Sequence, residues 1–321
     1  MPLIPTPRSE LIAAGANPIR LDGDLRSGRA VAPFRGIYVD ANAVGSWLVR
    51  VRAAAATQSL TARVGMQTSA VLHRLRWLPE AWGSPDALIH FVVEPLETRG
   101  HRPGIRLHRR FLLPEDCVVI DGIACLSVTR TLVELARDPK IPPLLVVQLL
   151  DGALRDNRTT KAELLNCLGR FPGERGVARA RELVGRSREE VDSPQETRMR
   201  LILEDGGITG LDIAIKIRDE HDGQVLARGD LGEKRLLIWG EYDGFVPHSE
   251  RDVFRSDRVG DRWLHRRGWH TMRFTDADLN RPEATRREWR FAIADAPARI
   301  AALDPRRSPE VAEARRLLGF D

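Results

Sequence analysis

From Ser193 to Phe274 the chain sets short apolar runs between turn signals in one order: a helix, three strands, a helix and a strand. That order constrains the fold more than any other feature. Three strands in succession leave no room for crossover helices, so neighbours must pair antiparallel in one sheet. The first helix starts at Ser193, a residue suited to an N-cap, and runs to about Glu204. The strands cover residues 211–218, 224–231 and 235–242, and His221-Asp222-Gly223 turns between the first two. A second helix starts at Ser249 and covers residues 249–267, and the run Trp269 to Phe274 supplies the last strand.

Upstream, a Gly-, Arg- and Glu-rich stretch over residues 169–192 marks a boundary near 188. The expected organisation is a short winged-helix-like segment over 1–45, a mixed α/β region over 46–187, a domain over 188–300 and a helical tail over 301–321. The fold class is therefore α+β. In the first segment, short helices precede a basic hairpin over Arg29 to Val39 with Gly36 near its turn. A helical pattern covers Val44 to about Leu78, a buried strand residues 87–97, and a strand with one basic face residues 105–110. Asp121-Gly122 is a strong hairpin turn signal, and Ser127 caps a helix that continues to Arg137.

A chain of 321 residues is longer than one domain needs, and 42% hydrophobic with 30% charged residues excludes a disordered chain. No apolar run approaches the ~18–20 residues of a membrane helix, and Met1 to Arg8 lacks a signal-peptide layout. Three cysteines without CxxC spacing argue against a disulfide framework and a zinc site. The expectation is a cytoplasmic protein with reduced thiols and no membrane partner. The net charge of +5 divides unevenly: residues 191–321 hold 23 basic and 25 acidic residues, and residues 1–190 hold 27 and 20. A basic front suits a polyanion and a carboxylate-rich back suits a metal, although Arg-rich composition alone produces the same drift.

The chemistry concentrates at Asp230 and Glu241. Adjacent antiparallel strands bring these carboxylates together at their ends, and Glu241 follows the apolar run Leu236 to Trp239, where a charge is costly unless paired or metal-bound. Glu196 on the preceding helix supplies a third carboxylate. Hard oxygen donors of this kind suit Mg2+ or Mn2+, which would polarise a phosphoryl oxygen. Two plainer readings stand beside this one: strand-end carboxylates facing solvent, and Glu196 as part of a capping box begun by Ser193.

Glu196, Asp230 and Glu241 in this order resemble the PD-(D/E)xK nuclease superfamily, and more closely its branch related to very-short-patch-repair endonucleases. That branch ends its third strand in Glu-x-Asp-Gly and follows it with a His and then an Asp; here these are Glu241-Tyr242-Asp243-Gly244, His248 and Asp257. Gly268 to Phe274 resembles the family's last strand, so the match covers roughly residues 188–295. The resemblance implies an αβββαβ core, a metal held by Asp230, Glu241 and the Tyr242 carbonyl, and a catalytic set of Glu196, Asp230, Glu241, Asp243 and His248. One departure matters: Asp243 stands where the superfamily has its lysine, so a positive group must come from Lys234, His248 or Arg273. Upstream, Arg35 to Val39 and Ser127 to Ala136 resemble the antitoxin half of AbiEi-type toxin–antitoxin systems. That likeness implies a winged-helix DNA contact and a cognate toxin protein as partner.

Arg251, Arg255, Arg258, Arg262 and Arg266 are spaced four, three, four and four, which lines them along one helix face suited to duplex phosphates. The alternative is a solvated face paired with Asp252, Asp257 and Asp261. Arg106, His108, Arg109 and Arg110 form a second candidate DNA-binding strand. The leading expectation is a double-stranded-DNA-binding protein with an Mg-dependent endonuclease-like domain acting in phage defence or a toxin–antitoxin system, with no small-molecule cofactor. The alternative is a non-catalytic antitoxin or transcriptional regulator that uses the same fold only for binding.

Overall fold

The computed structural model describes residues 2–96, 102–219, 222–244 and 260–320. It is a mixed α+β protein with three sheets, and it divides into two compact units between Arg186 and Ser187. The segments 1–45 and 46–187, read from the sequence as separate, fall into one unit up to Arg186.

The first unit opens with β1 (Thr6–Pro7), α1 (Arg8–Ala13), α2 (Pro18–Arg26), β2 (Ala30–Phe34) and β3 (Ile37–Asp40), the strands lying in the order β1-β3-β2. Gly15 at φ 91° turns α1 into α2, and Asn17 caps α2 through the backbone N–H of Ile19 at 2.9 Å. Then come α3 (Trp47–Ala55), β4 (Arg63–Val64), α4 (Met66–Leu72), β5 (Ile89–Val93), β6 (Ile105–Arg109), β7 (Cys117–Ile120) and β8 (Ile123–Leu126), the five strands ordered β6-β5-β4-β8-β7. The continuous helical pattern expected from Val44 to Leu78 is corrected here, because β4 interrupts it to join the sheet. Gly65 lets the chain pass so close to β5 that a Cβ there would meet Val92 Cγ2 at 2.6 Å. Between β7 and β8, Asp121 (φ 48°) and Gly122 (φ 78°) have the positive φ pair of a type I′ turn. The unit closes with α5 (Val128–Arg137), α6 (Pro143–Arg155), α7 (Lys161–Gly169) and α8 (Val177–Arg186).

The second unit contains α9 (Pro194–Asp205), β9 (Asp212–Arg218), β10 (Val225–Glu233), β11 (Ile238–Tyr242), α10 (described over residues 260–266) and β12 (His270–Phe274). After these come α11 (Asp276–Leu279), α12 (Pro282–Ala301) and α13 (Pro309–Leu318). The sheet order is β12-β11-β10-β9, with β9, β10 and β11 antiparallel and β11 and β12 parallel. One face packs Leu231, Ile238 and Phe274 against Met199 and Trp289. The other packs Trp239, Ile215 and Ile217 against Trp269, Ile300 and Val311. Val311 and Ala314 are buried in that second layer, so α13, expected as part of a tail, packs against the sheet. Gly240 fits helix α12 onto β11, since a Cβ there would meet the Trp289 ring at 2.8 Å.

Candidate functional site, a carboxylate notch at the end of the sheet

The β10–β11 ladder runs Glu233↔Ile238, Gly232↔Trp239 and Leu231↔Gly240, and there it stops. The next backbone donor, Tyr242 N–H, gives its hydrogen bond to the Asp230 side chain, at 2.6 Å to Oδ2. The strands therefore open at Asp230, and its carboxylate enters the gap. The sheet is also irregular on the other side. Ala214 lies between the residues of β9 that pair with Gly229 and Leu231, and it has φ 51°, a strained conformation for a residue with a side chain.

Asp230 is half-buried, and its carboxyl is pushed up from 3.8 to about 7. Burial is the largest cause; Glu196 and Glu241 add repulsion, while the Tyr242 N–H and Arg228 pull the other way. Among the described residues no ion pair reaches Asp230. Glu196 enters from the first turn of α9, where Ser193 Oγ accepts its backbone N–H at 3.1 Å. Its own carboxylate accepts Asp192 N–H at 2.9 Å, and burial raises its pKa. The expected capping box is met in one half: Ser193 caps the helix, while the Glu196 carboxylate accepts from Asp192, the residue before the cap.

Glu241 is differently placed. Trp239 Nε1 donates to its Oε1 at 2.7 Å, and Arg273 lies 3.3 Å from its Oε2. The parallel register sets Glu241 beside Arg273. Arg273 also reaches Asp243 at 3.6 Å and Asp261 at 3.0 Å. The Tyr242 side chain packs on the Trp289 face instead. Its phenol is held above its usual range by burial first and then by a hydrogen bond to Asp276.

The convergence of Glu196, Asp230 and Glu241 is electrostatic and not a preformed coordination shell. Among the described residues, no group of three or more His, Cys, Asp or Glu side chains stands ready to hold a metal ion. Carboxylates are the donor type that a hard divalent cation takes, and Asp230 is half-buried with no ion pair among the described residues. Of the three expected sources of positive charge, the described residues leave one at the notch. Lys234 follows β10 on the turn at the far end of the hairpin, about 13 Å along the strand from Asp230. There it lines a cavity of 250 Å³ with Lys216, Arg218 and Trp269. His248, Arg251, Arg255 and Arg258 lie outside the described residues, and Arg262 is exposed on α10.

On the basic strand, Arg106 and Arg109 are exposed, and Arg110 is half-buried with an ion pair of its own. Its Nε donates to buried Glu134 at 2.9 Å. His108 bonds His90 at 2.9 Å, and burial, the largest cause, takes both imidazoles down to about 4, so neither carries charge at neutral pH. Trp239 is core, 1% exposed, and its indole N–H also meets Glu241; its place two residues before Glu241 on the same strand face is the signal for that second contact.

No family model matches the chain. No helix among the described residues is long and apolar enough to cross a membrane. The chain is similar to two uncharacterized proteins of Mycobacterium tuberculosis, one from each of two strains, with 28% identity over 182 residues. That alignment takes in 56% of this chain and spans 61% of the length of each relative.

Proposed function

We propose that the second unit is a PD-(D/E)xK-like domain that hydrolyses DNA phosphodiesters with a divalent metal. The observation that carries this reading is the half-buried Asp230 carboxylate, set in an opened ladder and repelled by Glu196 and Glu241 with no ion pair of its own among the described residues. Asp230, Glu241 and the Tyr242 carbonyl would hold Mg2+ or Mn2+, with Glu196 and Asp243 alongside. When bound, such a metal polarises a phosphoryl oxygen and makes hydroxide available at neutral pH. The αβββαβ order around the notch supports the same reading. For the first unit, the β1-β3-β2 sheet with α1 and α2 supports a winged-helix-like DNA contact, as the AbiEi resemblance implies. A cognate toxin partner and a cytoplasmic role in phage defence belong to the same proposal.

Supercoiled plasmid incubated with pure protein and Mg2+ or Mn2+ should be nicked by the wild type. Asp230→Asn should lower that activity at least about 100-fold. Equal activity in both proteins, or none in either, sinks the enzymatic reading.

A second reading has its own observation. Arg273 already neutralises Glu241, and Asp243 stands in the lysine position, an arrangement suited to a non-catalytic regulator that keeps the fold for binding. A wild type that binds duplex DNA but never cleaves it would favour that alternative.

A further inference from the structure

The motif position that should carry a cation carries Asp243, yet a cation is present, delivered from another strand. We infer that Arg273 supplies the cation of the notch, holding Glu241 in place and meeting the phosphate with its guanidinium. This rests on the nuclease reading.

The geometry is the argument. Residues 241 and 243 lie on one face of their segment, and the parallel register sets Arg273 beside Glu241. One guanidinium therefore reaches carboxylates on three segments: Glu241 on β11, Asp243 just beyond it, and Asp261 on α10. Glu241 is held from two sides, because Trp239 Nε1 donates to its other oxygen at 2.7 Å. A carboxylate fixed at both oxygens cannot swing away from the notch. Lys234, the other described candidate, is removed by its place at the far end of the hairpin. A planar guanidinium also matches two phosphate oxygens at once, as an ammonium does not. In hydrolysis a water oxygen bonds to phosphorus, one ester P–O bond breaks, the water's proton passes to solvent, and the departing oxygen takes up another. Negative charge builds on the non-bridging oxygens meanwhile, where a fixed cation has most effect.

The test uses the full-length protein with Arg273→Met and Arg273→Lys, read in two ways. Plasmid nicking with Mn2+ reports the chemistry. Paramagnetic broadening of the Trp239 indole N–H signal by Mn2+ reports metal at Glu241, and the same spectrum reports the fold. Arg273→Met should nick about 100-fold more slowly while Mn2+ still broadens Trp239, and Arg273→Lys should recover about a tenth of wild-type activity. Nicking by Arg273→Met within about threefold of wild type overturns the assignment. Equal loss in both variants with the spectrum intact also overturns it, marking a salt-bridge strut. A wild type whose Trp239 signal ignores Mn2+ instead removes the metal reading beneath, and the inference with it. A wild type that binds Mn2+ without cleaving removes the nuclease reading and the inference with it, whereas an Arg273→Met variant that nicks like the wild type overturns the inference alone.

Discussion

Asp230 concentrates the physics of the site into one side chain. Its carboxyl is pushed from 3.8 up to about 7 when folded, burial being the largest cause, so between these values the native state holds a proton that the unfolded chain releases. Its contribution is fully present below pH 4 and is lost as pH rises through 7. Asparagine keeps an acceptor for the Tyr242 N–H and has no charge to bury. Asp230→Asn should therefore stabilise the metal-free protein by about 2 kcal/mol at pH 8 and leave it nearly unchanged at pH 4. Urea melts at the two pH values check this; an equal gain at both would show that charge burial is not the cause. The residue types were legible in sequence, since Asp230 and Glu241 end apolar strands. That Asp230 would cap an opened ladder and Glu241 meet Arg273 was not, because both depend on register between segments far apart in the chain.

Among the elements, α5 shows a motif whose residues turn out to build the fold. Arg130 is 1% exposed and bonds Asp116 at 2.9 Å, Glu134 at 3.1 Å and the Phe111 carbonyl at 3.2 Å. Arg137 and Arg110 reach the same Glu134, and the Phe171 ring lies 4.5 Å from the Arg130 guanidinium. Removing one member leaves buried charge uncompensated, so Arg130→Ala should cost about 3–5 kcal/mol, measurable by chemical denaturation. Arg106→Ala, on an exposed side chain, should stay within about 0.5 kcal/mol. The sequence pattern had marked Ser127 to Ala136 as a family resemblance, and burial now gives it a physical cause. Helix α12 was overlooked, although Thr285, Trp289, Ala292, Ala296 and Ile300 are buried at spacings of four, three, four and four. Interleaved arginines hid that stripe, because apolar residues alone leave it thin.

Across the whole molecule, the basic surplus in residues 1–190 and the arginines of residues 251–266 predict how the proposed DNA contact responds to salt. Each phosphate contact releases condensed counterion, so log affinity should fall with log salt by about 0.9 per contact. Arg255→Ala with Arg258→Ala should flatten that slope by about one to two, and Asp230→Asn should leave it unchanged. Fluorescence anisotropy with a random duplex at several salt concentrations measures both; an unaltered slope in the arginine variant would make that face merely solvated. What the sequence determined alone is local: strand and helix order from Ser193 to Phe274, caps at Ser127 and Ser193, the Asp121-Gly122 turn and the place of the unit boundary, each set by neighbours a few residues apart. Tertiary structure decided which carboxylate sits half-buried without an ion pair among the described residues, which is held by Arg273, that Arg110 pairs with buried Glu134, and that α13 packs against the sheet. Those outcomes depend on burial and on pairing between distant strands, and the charge of a side chain is only as costly as the surroundings that the fold builds around it.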